Sequence, residues 1–365
     1  MSKYLLVGST RASSGKSATV LGLGIHLQAR GMKVGYAKPL GTFTSRTVPE
    51  SSISLDADVE FITQTLGLDH GLVRPTLLNL DKASIQQRLL EQNTTDYTQK
   101  LAEYLENTNG ELVLVEAPGN PEEGAMFGLS LPQIAECLDA PILLVSRFED
   151  LLVADRLLVA KSRLGDRLLG VVINDIPEVQ LETALEILLP YLESLGIPVL
   201  AMMPENLILR SVSVDELVAQ LDATILYQPD VSLSEIMVED LKIGAMDVNS
   251  AQIYFSKSFH KAVVTGANRL DIQLAALGTS TNCLILTGNY LSVHPDVLQR
   301  AKEIEVPILA VTKDTLTTVA IIEKSLGQVR LHEGVKVNCI QEMMAKHFNF
   351  DRLLQLLQIS NHISP

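Results

Sequence analysis

Residues 8–17 read GSTRASSGKS and follow the apolar run Tyr4, Leu5, Leu6 and Val7. Small residues at Ser13, Ser14 and Gly15 let backbone N–H groups come close to an anion. A helix that starts at Lys16 adds its partial positive charge to the same place. In such a cradle Lys16 reaches the β and γ phosphates of a nucleotide, the Ser17 hydroxyl ligates Mg2+, and Ala18 supplies the next amide. Thr10 stands where the regular G-x-x-x-x-G-K-[ST] spacing has glycine, so the strand before and the helix after carry the reading. The plain alternative is a serine-rich helix start with a chance Gly-Lys-Ser.

Four further segments carry candidate residues. Lys38, in GYAKPLGT, is a contact for phosphate or for a second substrate, or else a surface lysine beside a turn proline. Asp56 and Asp58, in SLDADVEFI, are hard oxygen donors suited to Mg2+, and Asp56 is the expected ligand; capping of a helix start explains them equally well. Glu116 ends the run ELVLVE, and a carboxylate so close to a buried strand needs a cation. It is the expected metal holder, directly or through water. Asn174, in GVVIND, offers an amide that both donates to and accepts from an adenine edge, or simply turns the chain.

These residues need a scaffold that brings strand ends together. Short runs of Val, Leu and Ile bounded by Gly, Pro or Asn alternate with longer stretches of helical period: residues 3–8, MKVGYAKP, ELVLVEAPG, APILLVSRF, LLGVVIND and IPVLAMMPE. Such runs are parallel strands buried on both faces. The fold expected is therefore α/β, a parallel sheet with helices on both faces and with the post-strand motifs on one rim. The pattern stops near Pro229 and restarts with three strand-then-helix units in HKAVVTGANR, TNCLILTGNY and VPILAVTKD. Expected boundaries are a first domain over 1–226, a second over 230–345, and a terminal helix over 346–365.

Composition narrows the partners. The chain has 365 residues, 47% of them hydrophobic and 20% charged, enough for two cores without a disordered tract. A net charge of −14, with no basic cluster interleaved with aromatics, argues against nucleic acid. The three cysteines Cys137, Cys283 and Cys339 form no CxxC pair, which argues against disulfides or zinc. No apolar stretch reaches the roughly 18 residues needed to span a bilayer. A cytoplasmic protein without a membrane partner is expected.

Over residues 1–222 the chain resembles dethiobiotin synthetase and its relatives among the P-loop NTPases, which include cobyrinic acid a,c-diamide synthase. The resemblance is carried by GSTRASSGKS, AKPLGT, the Asp after it, LVEAPG and VVIND. It implies ATP and Mg2+ as ligands, with Lys16 and Lys38 in the catalytic positions. Arg11 and the segment APGNPEEG depart from the synthetase pattern. Residues 230–345 resemble the DRTGG domain, in VVTGANRLDIQLAALGTSTNCLILTGN and VPILAVTKDTLTTV. The pairing is similar to the N-terminal regulatory portion of long bacterial phosphotransacetylases, without the acetyltransferase domain. In the second domain Thr265, Gly266, Arg269, Thr287 and Gly288 would share a rim suited to a small anion or nucleotide. Turn formation, helix capping and pairing of two copies through the same surface are the alternatives. Three functions fit this set. The first expectation is a nucleotide-binding regulatory or sensory ATPase serving an effector or a metabolic enzyme, as a homo-oligomer. The others are an ATP-dependent carboxylate-amine ligase and a partitioning-type ATPase, which would carry lysine in place of Arg11.

Overall fold

The computed structural model describes residues 3–42, 57–74, 76–106, 110–288, 292–326 and 334–359. It divides into two compact units, Met1–Glu205 together with Val337–Pro365, and Asn206–Lys336.

The first unit is built on a sheet of seven parallel strands among the described residues. They are β1 (Lys3–Ser9), β2 (Val34–Ala37), β3 (Val73–Arg74), β4 (Leu112–Glu116), β5 (Ile142–Arg147), β6 (Leu168–Ile176) and β7 (Val199–Pro204), in the order β3-β2-β4-β1-β5-β6-β7. Every residue of β2 and β4 is buried, and β1 is buried from Leu5 onward. A strand without polar alternation needs cover on both faces, and helices supply it. Leu6, Val113, Val115 and Leu144 pack with Leu101, Ile134 and Leu157 from the helices Tyr97–Glu106, Leu131–Cys137 and Val153–Leu164. Helix α1 (Lys16–Ala29) packs against β1 and β4 and buries Thr19 to Gly24 and Leu27.

The chain returns to this unit at its end. Gly22 of α1 leaves room for Met344, whose Cγ would stand 2.5 Å from a Cβ placed there. Phe348 bridges to Ala201, the Asn349 amide donates to the Leu200 carbonyl at 2.8 Å, and the helix Phe350–Leu356 buries Phe350, Leu353 and Leu354. Arg352 closes the contact with two nitrogens on the Glu193 carboxylate at 2.5 and 2.7 Å.

The second unit holds β8 (Thr224–Tyr227), β9 (Asp240–Ile243), β10 (Lys261–Gly266), β11 (Thr281–Thr287) and β12 (Ile308–Val311), in the order β8-β12-β11-β10-β9. All pairs are parallel except the edge strand β8, which runs antiparallel to β12. The division differs from the one expected at Pro229. Residues 206–226 belong to the second unit, because the helix Val214–Leu221 shares a core with Val264, Ile285 and Ile322 and because β8 extends that sheet. Residues 337–345 belong with the first unit, since Ile340 and Met344 pack on α1.

Candidate functional site

β1 delivers the chain to a tight loop and α1 carries it away. Ser13 has φ 57° and Gly15 has φ 95°, so two left-handed residues bracket the buried Ser14. Backbone of this alternating kind turns successive N–H groups toward one point. The Ser14 hydroxyl donates to the Arg11 carbonyl at 2.8 Å, and Thr10 is tied to β5 through its amide on the Val145 carbonyl and its hydroxyl on Ser146 at 3.0 Å. Ala18, in the first turn of α1, is half-buried.

The loop faces a buried carboxylate. Glu116 pairs in register with Val7 of β1, which brings the end of β4 beside the start of the loop. Lys16 Nζ and Ser17 Oγ each donate to Glu116 Oε1 at 2.7 Å, and the Tyr36 hydroxyl donates to Oε2 at 2.9 Å. Glu116 is 1% exposed. Burial alone would raise its carboxyl. The Lys16 and Lys38 charges, with the hydrogen bonds from Lys16 and Ser17, outweigh burial and hold it down at about 2. Tyr36 is the member that the sequence reading missed. Its signal was a hydroxyl inside a wholly buried strand, which requires an acceptor.

Lys38 follows β2, whose Ala37 lies opposite Val115, so Lys38 and Glu116 leave neighbouring strands at one level. Lys38 is buried and its Nζ meets Asp58 Oδ2 at 2.7 Å. Asp56 lies outside the described residues. Asn174, opposite Arg147 on β5, sends Nδ2 to the Ser14 carbonyl at 3.0 Å. A Cβ on Gly15 would strike that same Nδ2, so Asn174 buttresses the loop through the space that glycine leaves. Arg11 points outward to Glu149, which Arg156 also pairs. Beyond Glu116, Gly119 donates its amide to Glu123 Oε2 at 2.6 Å, and Asn120 caps the amides of Glu122 and Glu123. Among the described residues no group of three or more His, Cys, Asp and Glu could hold a metal, and no helix is long and apolar enough to cross a membrane.

In the second unit Gly266 lies opposite Thr287, and Thr287 opposite Val311, so the expected residues do meet on one rim. Their polar atoms are held locally. Thr265 Oγ1 donates to the Gly244 carbonyl at 3.0 Å, and Thr287 shares a hydrogen bond with Thr315 at 2.9 Å. Arg269 forks onto Asp271 at 3.1 and 3.2 Å and reaches the Met246 carbonyl at 2.7 Å. Gly288, at φ 106°, turns the chain away after β11.

Residues 3–213 match the family model described as AAA domain, and residues 216–325 match the DRTGG domain. The chain is 25% identical to a phosphate acetyltransferase of Nitratidesulfovibrio vulgaris over 100% of its length and 26% identical to one of Nitrosomonas europaea over 96%. It spans about half the length of these curated relatives, 53% and 51%. A crystal structure of the CBS and DRTGG domains of the regulatory region of Clostridium perfringens pyrophosphatase, complexed with the activator diadenosine tetraphosphate, is similar at 17% identity and a TM-score of 0.30, covering 47% of this chain and 85% of that one. With its dethiobiotin synthetase-like P-loop sheet ahead of a DRTGG domain, as in the N-terminal part of phosphotransacetylases, the chain belongs to the AAA domain family.

Proposed function

We propose that this chain binds Mg-ATP in the loop between β1 and α1 and acts as a regulatory module, passing the nucleotide state to an effector or partner through its DRTGG unit. The observation that carries the reading is the convergence of Lys16 and Ser17 on the buried Glu116. An ammonium, a hydroxyl and a carboxylate are the donor set that a magnesium triphosphate takes. The loop is also held in shape, since Asn174 Nδ2 reaches the Ser14 carbonyl through the space that Gly15 leaves free of a Cβ. Lys16 and the loop amides would hold the β and γ phosphates, while Ser17 and Glu116 would hold the metal. Bound magnesium supplies charge neutralisation for those phosphate oxygens.

Regulation is favoured over carboxylate ligation by the segment after Glu116. Its Gly119 amide is already bonded to Glu123, so that N–H is not open to a substrate oxygen. The chain's match to about half of each curated relative named phosphate acetyltransferase supports an effector or partner from the same metabolism. Equilibrium titration with Mg-ATP tests the reading. Lys16→Ala, which removes a charge-assisted contact of about 1.5–3 kcal/mol, should weaken binding roughly ten- to a hundredfold. Equal binding by the variant and the wild type would remove the proposal.

A further inference from the structure

Asn174 sits where β6 falls out of step with its neighbour. β6 pairs with β7 at Ile173 opposite Met202 and again at Ile176 opposite Pro204, and the register shifts between these points, so β6 carries an extra residue there. Asp175, inside that bulge, has φ 67°, a left-handed backbone that a residue with a Cβ adopts at a cost. Its Oδ2 meets Arg147 Nε at 2.6 Å, and the Phe148 amide donates to the Asn174 carbonyl at 2.8 Å, so the end of β5 holds the bulge from the opposite side. A bulge re-aims a side chain. Here Asn174 Nδ2 reaches the Ser14 carbonyl at 3.0 Å, 160 residues away in sequence. That carbonyl belongs to the peptide between the buried Ser14 and the left-handed Gly15, and the peptide is trans. A trans peptide sets its C=O and N–H in opposite directions, so holding the Ser14 carbonyl also fixes the direction of the Gly15 N–H.

We infer that Asn174 is a positioning residue that serves the phosphates through the loop, and that it is not the reader of the base. Reading adenine takes an amide presented edge-on, with donor and acceptor together on N7 and N6. In this fold the donor nitrogen is turned to the Ser14 carbonyl and fills the space beside Gly15 that a Cβ would need. The strain at Asp175 points the same way. Costly backbone of this kind persists where the surroundings impose it and gathers at functional sites. What the bulge, the left-handed Asp175 and its arginine accomplish together is the contact between Asn174 and the loop. The part of the inference that concerns phosphate rests on the function proposed above, whereas support of the empty loop does not.

Two measurements on the full chain test it, with wild type, Asn174→Ala and Asn174→Asp. Without ligand, hydrogen exchange of peptides covering residues 10–18 should quicken about tenfold in Asn174→Ala, while peptides from 34–37 and 281–287 keep wild-type rates. An amide that waits for a base would leave the empty loop unchanged, and a general loss of stability would move all three segments. In equilibrium titrations with Mg-ATP and with magnesium tripolyphosphate, which has no base, Asn174→Ala should weaken both by about tenfold, the two losses agreeing within about twofold. Asn174→Asp keeps the volume and sets a carboxylate against the Ser14 carbonyl, so it should weaken both further, and it carries both measurements if the alanine variant does not fold. A loosened loop with equal losses on the two ligands supports the inference. Wild-type exchange over 10–18, unchanged affinity for tripolyphosphate, or a loss confined to Mg-ATP overturns it. Failure of the wild type to bind Mg-ATP removes the nucleotide reading and leaves loop exchange to decide the role of Asn174.

Discussion

Replacing Glu116 by glutamine keeps the side chain's shape and removes the charge on which Lys16, Ser17 and Tyr36 converge. The carboxyl titrates near 4.5 in an unfolded chain and at about 2 in the fold. Linkage converts that difference to about 3 kcal/mol of stability at neutral pH. Because the folded value is the lower one, the contribution is complete above about pH 4.5 and disappears as pH falls toward 2. By pH 3 it should be about half its neutral value. Glutamine does not titrate, so the gap between wild type and Glu116→Gln should be widest at pH 7 and close in acid. Urea-dependent hydrogen exchange of peptides from residues 3–29 reads the first unit alone, even if the two units unfold separately. A gap that stays constant from pH 7 to pH 3, or no gap at pH 7, would show that the ion pair does not hold this carboxylate in its charged form.

Two further outcomes follow from single positions. Gly15→Ala forces a left-handed backbone on a residue with a Cβ and displaces the Asn174 amide from the Ser14 carbonyl. A loss of roughly 2–3 kcal/mol in urea unfolding is expected, together with weakened Mg-ATP binding; a variant of wild-type stability would contradict the loop geometry. In the second unit burial pulls the Lys261 ammonium down to about 8, with Asp240 opposing, while its Nζ bonds to the Ser258 and Ser280 carbonyls. The unfolded chain then binds more protons above pH 8, so the wild type should gain stability relative to Lys261→Met between about pH 8 and 10. Parallel denaturation series that stay a fixed distance apart over that range would refute it.

The strands were legible because a segment buried on both faces advertises itself: ELVLVE and APILLV contain no polar alternation to obscure them. The loop was legible for a related reason, since phosphate-binding chemistry uses contiguous residues and GSTRASSGKS is one contiguous stretch. Tyr36 was not, because its partner lies 80 residues away and only the sheet order sets β2 beside β4. The return of the chain end was half legible. Phe348, Phe350, Leu353 and Leu354 announce a buried face, but periodicity does not say which sheet covers it. Pro229 marked a real turn in the pattern and the wrong kind of edge, for β8 just before it already belongs to the second sheet.

The two rims separate on a physical distinction that residue types alone do not make. In the second unit these rim side chains are matched to a neighbour close in sequence or just beyond the end of the adjoining strand: Arg269 to Asp271, Thr265 to Gly244, Thr287 to Thr315. Such pairs satisfy turns and caps and leave little unbalanced charge. In the first unit three donors from β2 and α1 meet one carboxylate from β4, and a second lysine adds its field. Concentrating cations around a single buried anion is costly as scaffolding, since two fixed charges in a dry site are seldom more stable than apolar replacements. It is economical only where those same cations must be held ready for another anion. That asymmetry, rather than the presence of threonine, glycine and arginine on both rims, is what sets the loop after β1 apart and supports the nucleotide reading proposed for it.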